Sequence, residues 1–161
     1  MEKALSHQLL LSCNTEVNLE KVKSLVKKGA DINYIINGMT PLLAVINHIV
    51  CNYKAKSNKP EITEEYYKDY YKLFLWVLRN GHKHINKSNF SQIRIFNFLL
   101  EYGDYIMIRE AYIYVDKPYL ELTSSIIENL NSQKKYDILN FLYKCFNLES
   151  SLSSSTSENI S

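Results

Sequence analysis

Three kinds of residue in this chain invite a chemical reading: the cysteines, a pair of close histidines and a dense run of tyrosines. Cys13, Cys51 and Cys145 are odd in number and far apart, with no Cys-x-x-Cys pair. They form neither a disulfide framework nor a zinc pattern, and they fit a reducing, intracellular setting. His82 and His84 stand as His-x-His in a segment that reads as a loop. A structural zinc site needs four ligands at suitable spacing, which this pair lacks, so they read as solvated loop histidines and no metal or cofactor is expected. Gly-rich phosphate loops, nucleophile elbows, His-Glu-x-x-His helices and paired catalytic carboxylates are all missing from the sequence, which argues against an enzyme.

The tyrosine run is "EEYYKDYYKLFLWVL", with Tyr66, Tyr67, Tyr70, Tyr71, Phe74 and Trp76 in one helical stretch interleaved by Lys68 and Lys72. Tyrosine and tryptophan dominate interface hot spots and also stack on bases. Core burial accounts for Phe74, Trp76 and Leu78, whereas Tyr66, Tyr67 and Tyr70 are expected to offer partner-binding surface. Nineteen basic against seventeen acidic side chains leave a formal charge of +2. That is too small a field to draw the chain onto nucleic acid or an anionic membrane, so neither is expected as a partner. No apolar stretch reaches the roughly 20 residues needed to cross a bilayer. The opening "MEKALSHQLLLSC" places Glu beside its early Lys and Ser, His and Gln within the apolar stretch, so it reads as a helix and not a leader.

The elements that must carry these residues are helices. At 161 residues with 46% apolar and 22% charged content, and only 4 Gly and 3 Pro, the chain reads as one folded, mostly helical domain. Leu19, Val22, Leu25 and Val26 make a helical stripe with Asn18 as N-cap, basic Lys27 and Lys28 at its C-terminal end, and Gly29 to end it in a left-handed turn. "ADINYIINGM" follows as an extended loop or hairpin with Asn37-Gly38 as its tight turn. Thr40 then caps the next helix and Pro41 takes its first position.

This unit, "GADIN" followed by "NGMTPLLAV", resembles the ankyrin repeat, whose pattern joins G-x-T-P-L-x-x-A to a second helix ending L-L-x-x-G-A-x-x-N. Gly29, Ala30, Asp31, Asn33, Gly38, Thr40, Pro41, Leu42 and Ala44 match it. Leu43 stands where the family usually places a histidine that ties adjacent loops. A repeat of this kind cannot bury its apolar face alone, so neighbours are expected at a period of about 33 residues. Ala4 to Cys13 pairs with Leu19 to Lys27 as a degenerate first repeat. "LFLWVLRNGHKHIN" repeats the helix-glycine-loop ending, with Gly81, Ile85 and Asn86 matching the earlier loop. Gly29 and Gly81 lie 52 residues apart, and the surplus falls in a polar insertion at about 47–65. A third pair is read near Ser91 to Tyr102 and Tyr105 to Tyr114, and a fourth from Pro118, in "PYLELTSSIIENL" and "KKYDILNFLYKCF".

The expectation is therefore an all-α, ankyrin-repeat-like solenoid of three to four helix pairs over residues 1–148, with a capping C-terminal helical pair. The serine-rich 149–161, with almost nothing to bury, is expected to be disordered. What the resemblance implies is a monomeric, non-enzymatic module that binds another protein through hairpin tips and the concave helical face, with Tyr34, Ile35, Ile36, Asn37 and Met39 at the contact. An alternative comes from Glu121, Ile126, Ile127 and Leu130. They loosely resemble an F-box helix, which would make the chain an adaptor recruiting a host ubiquitin ligase through a Skp-type protein. Sixteen Asn, 16 Ile, 16 Lys and 13 Tyr are the usage of an AT-rich genome, as in a large DNA virus, an intracellular bacterium or certain protists. The expected location is cytoplasmic, in the host cytoplasm or nucleus if the source is a virus or intracellular bacterium.

Overall fold

The computed structural model describes residues 1–56, 64–87, 94–116 and 123–145. They form helices α1 (Glu2–Thr15), α2 (Leu19–Lys27), α3 (Pro41–Lys56), α4 (Glu64–Asn80), α5 (Ile95–Tyr102), α6 (Tyr105–Tyr112) and α7 (Ser124–Ser132). A final helix, α8, runs over 136–145. The class is all-α: among the described residues there is no strand, only local bridging such as the antiparallel pair of Ile36 and Met39. No helix among them is long and apolar enough to cross a membrane.

Local chemistry sets the ends of these helices. The Asn18 side chain accepts the Lys21 N–H at 3.0 Å, which satisfies one of the open donors of α2. At its other end the Gly29 N–H donates to the Val26 carbonyl and the Ala30 N–H to the Leu25 carbonyl, at 3.0 and 2.9 Å. This double bond pattern is a Schellman cap, and Gly29 adopts the φ of 116° that its left-handed residue requires. Thr40 Oγ1 accepts the Leu43 N–H at 3.2 Å and opens α3 with Pro41 in its first turn. Two caps escape the sequence reading. Asp104 accepts from Met107 at 3.0 Å to open α6, and Thr123 accepts from Ile126 at 3.3 Å to open α7.

Helix contacts run in an ordered series. α1 touches α2 and α3, α3 touches α4 and α5, and α5 touches α6 and α7, while α2 meets α4 and α4 meets α6. Odd-numbered helices thus contact one another in succession, and α2, α4 and α6 do the same. The core between them is mostly aliphatic, with Leu9, Val22, Ala44, Val45, Ile46, Leu73, Val77, Leu99, Ile108 and Leu142 fully buried beside the aromatic Phe74. Each large side chain of that kind contributes on the order of 1.5–3 kcal/mol, so the stack is held by these faces far more than by its few ion pairs. Those pairs, Lys21 with Glu16 among them, lie in solvent and count for little.

The insertion expected at about 47–65 is helical at both ends, since α3 continues to Lys56 and α4 begins at Glu64. No glycine or proline interrupts "NHIVCNYKAK", so nothing there stops the helix. Residues 57–63 lie outside the described residues, as do 117–122 and 146–161. The expected serine-rich tail and the Pro118 to Glu121 part of the F-box-like pattern therefore fall outside them.

Candidate apolar recognition groove

The first exposed feature built from two elements is a groove between α1 and the loop that follows α2. On α1, His7, Leu10, Leu11 and Asn14 recur at i, i+3, i+4 and i+7 and so share one face. Opposite them the hairpin turns through Asn37 and Gly38, both with positive φ at 51° and 76°. Asn-Gly supplies a type I′ turn of this kind at little steric cost. The Ile36 and Met39 backbones exchange hydrogen bonds of 3.1 and 2.9 Å across it.

Two contacts bind the loop to α1. The buried Ser6 hydroxyl accepts the Asp31 N–H at 2.9 Å. Higher up, the Tyr34 hydroxyl meets His7 Nε2 at 3.0 Å, with the ring edges in a T-shaped contact at 5.2 Å between centroids. The Asp31 carboxylate also accepts the Asn33 N–H at 2.9 Å and tightens the turn. Between loop and helix lies a cleft of about 270 Å³ lined by His7, Leu10, Leu11, Asn14 and Met39. No carboxylate, lysine or arginine lines it. Leu11 is 63% exposed, so the cleft carries an apolar surface that water meets directly, and Ile35, 39% exposed on the same hairpin, adds to the apolar surface beside it.

The residues expected at the contact divide accordingly. Tyr34, Ile35, Ile36, Asn37 and Met39 all lie on the one hairpin, with Tyr34, Ile36 and Met39 half-buried and Asn37 exposed. Tyr70 does not join them. At 2% exposure it belongs to the core, where its hydroxyl faces His48 Nε2 at 3.4 Å and its ring makes a T-shaped contact with that imidazole. Tyr70, Leu73, Phe74 and Val77 share the inward face of α4 by their helical spacing, which is the physical reason for the burial. The side chains of Tyr66 and Tyr67 lie outside the described residues. Trp76 is half-buried, and Phe74 and Leu78 are core as expected.

His82 and His84 are half-buried, not solvated. His82 stacks on Tyr114 at 4.1 Å between centroids, and its Nδ1 lies 3.1 Å from the Leu78 carbonyl. Burial, then the charge of Lys87, holds His84 below the usual imidazole range. Leu43, in the position where a tying histidine was missed, is buried. The loops are tied by asparagine instead: Asn33 Oδ1 accepts the Lys83 N–H at 3.1 Å, and Asn86 Oδ1 accepts the Asp116 N–H at 2.9 Å.

His7, Leu10, Leu11 and Asn14 are the groove residues that sequence reasoning missed. Their helical spacing was visible, but only the folded-back hairpin gives it an opposing wall. Neither a family model, nor a curated protein, nor a solved structure matches this chain.

Proposed function

We propose that the chain is an ankyrin-like stack of four helix pairs that binds another protein in the groove between α1 and the Tyr34–Met39 hairpin. Support for the stack comes from the serial contacts of odd and even helices and from the matched loop positions Asn33 and Asn86, each bonded to the following loop. The observation that carries the binding reading is the wet apolar cleft itself, with Leu11 on α1 facing Met39 on a loop already fixed to α1 by Ser6 and His7, and Ile35 exposed on the same hairpin. A partner inserting one apolar side chain there removes that surface from water, and an anchor of this kind is typically worth more than 1 kcal/mol. Little conformational entropy is lost, because the loop is held before the partner arrives.

The test is affinity capture from candidate host lysate with the full chain and with a Leu11→Glu, Ile35→Glu variant. Both positions are exposed, so circular dichroism should show the variant folded. The expected result is loss of the specifically captured protein; retention of the same protein at the same level would refute the groove as its site.

A second reading, an adaptor of ubiquitin ligases acting through the C-terminal helices, draws on Tyr136 and Tyr143, seven residues apart on α8 and 55% and 42% exposed. It requires a Skp-type protein to co-purify through residues 118–148 and to be lost on replacing both tyrosines by alanine.

A further inference from the structure

A second cleft, of about 240 Å³, opens where the turn between α5 and α6 and the turn between α7 and α8 meet the side of α3. It reaches α3 at Ile49 and Val50, eight residues and about 12 Å along the helix from Pro41 and the hairpin. Its floor is apolar: Ile49, Val50 and Ile138 are all buried. Its walls include Tyr102 and Tyr105.

Two carboxylates, Asp104 and Asp137, line the same space. Asp104 caps α6 by accepting backbone N–H groups of Met107 and Ile106, which leaves part of a carboxylate's acceptor capacity unused. Burial, and next in importance among the raising effects the Asp137 charge, push its carboxyl above the usual range despite those bonds. Lys135, which lines the same cleft, offsets this only in part. Its Nζ donates to the Glu101 and Gly103 carbonyls at 3.0 and 3.4 Å, where α5 ends. Lys134 at the lip is exposed.

An apolar floor, aromatic walls and two carboxylates on one rim suit a particular ligand. An alkyl stem can cover Ile49, Val50 and Ile138 while a positive head sits between the acids and against a tyrosine ring. Lys134 and Lys135 line the cleft as well, but the Lys135 ammonium is engaged by the Glu101 and Gly103 carbonyls and Lys134 is exposed, so an incoming head group meets the two carboxylates. The volume lies between the dry cavity of about 150 Å³ that holds benzene and the pockets of about 300 Å³ and more that hold drug-sized molecules. We propose that this cleft binds a primary ammonium or guanidinium group on a short alkyl stem, the size of a lysine or arginine side chain.

The experiment is a titration of the full chain with agmatine, followed by amide NMR, with butyrate as the anionic control and acetyl-Gly-Arg-Gly-amide as the peptide arm. Saturable shifts are expected at Gly103, Asp104, Lys135 and Ile138, with no saturation by butyrate. Asp104→Asn, which keeps a capping side chain, should weaken agmatine at least tenfold. Asp137→Asn, at an exposed position, should also weaken it and keeps the test sound if the first variant misfolds. Tighter binding of the peptide would make a partner's arginine the source of the head group, and tighter binding of agmatine a free amine. Non-saturable shifts, equal binding of butyrate, or agmatine affinity unchanged in both variants would each overturn the proposal. No partner protein enters the test, so its failure and failure of the hairpin reading are separate results.

Discussion

Replacing Gly81 by alanine tests whether the loops after α2 and α4 touch as described. A Cβ at this position would lie 2.8 Å from Ile32 Cγ1, 2.8 Å from the Ile32 carbonyl oxygen and 3.1 Å from the Val77 carbonyl oxygen. Two of these three are backbone atoms, which cannot swing aside, so the loops must separate or distort. Gly81 is not among the residues with positive φ, so the cost comes from contact and not from backbone strain. Overpacking of this kind costs about 1–3 kcal/mol. Separation of the loops also lengthens the Asn33 to Lys83 bond, worth about 0.5–1.5 kcal/mol. The sum, roughly 2–4 kcal/mol, corresponds to a fall in Tm of about 4–16 °C for a chain of this size. Thermal unfolding followed by circular dichroism reads it directly. A double-mutant cycle sharpens the result: Asn33→Ala should cost about 1 kcal/mol alone and much less in the Gly81→Ala background, because the bond is already lost there. A Gly81→Ala Tm within about 2 °C of the parent, or costs that simply add, would refute the contact between these two loops.

Stability should fall as pH drops from 7.5 to 5.5. Burial holds His48 below the usual imidazole range, and burial and then Lys87 do the same for His84; both have a buried Nδ1 with no protein partner. With folded values below unfolded ones, the unfolded chain takes up more protons below about pH 6.5, so the stabilisation is complete above that value and is lost beneath it. Denaturant titrations at the two pH values measure this, and His48→Gln should shrink the difference; equal stability at both would contradict it. Lys134 closes α7 in the left-handed region at φ 57°, where a side chain costs about 1 kcal/mol or more. Lys134→Gly should therefore raise the denaturant midpoint by the equivalent of about 0.5–1 kcal/mol, and a lowered midpoint would show that the cap is misassigned. Burial pushes the Cys13 thiol up to about 12, while Cys51 is exposed. Timed alkylation with mass spectrometry should label Cys51 promptly and Cys13 only on unfolding; equal rates would show that the α1 core is open.

What sequence alone could reach was chemistry spanning a few residues. Asn18, Gly29, Asn37-Gly38 and Thr40-Pro41 each act on backbone groups within four positions, and each stands in the structure where its local role requires. The third helix pair, divided at Gly103-Asp104, was legible for the same reason. Errors arose where side-chain polarity stood in for geometry. The polar stretch after Asn47 looked like a loop, yet with no glycine or proline to stop it the helix runs on to Lys56. Tyr70 looked like surface because it sits in a tyrosine run, although its spacing from Leu73, Phe74 and Val77 marks the inward face. Contacts between His7 and Tyr34, 27 residues apart, or Asn33 and Lys83, 50 apart, depend on how the loops fold back, and no local pattern encodes them.

The two edges of the helix stack are joined by different chemistry, and this bears on where a partner can bind. Along the hairpin edge, side-chain oxygens of Ser6, Asn33 and Asn86 accept backbone N–H groups of Asp31, Lys83 and Asp116. These bonds fix the bases of the loops, each contributing about 1 kcal/mol. They leave the tip from Ile35 to Met39 with its bridging backbone already paired across the turn, so apolar side chains can be covered there without exposing a polar group or ordering a floppy loop. On the other edge the joining group is a charge: Lys135 reaches across to the carbonyls at the end of α5. Lys135 also lines the cleft there, together with Lys134, Asp104 and Asp137. The two proposed sites therefore differ in the anchor they require: an apolar side chain at the hairpin cleft, and a cationic group at the cleft that Ile49 and Val50 of α3 reach.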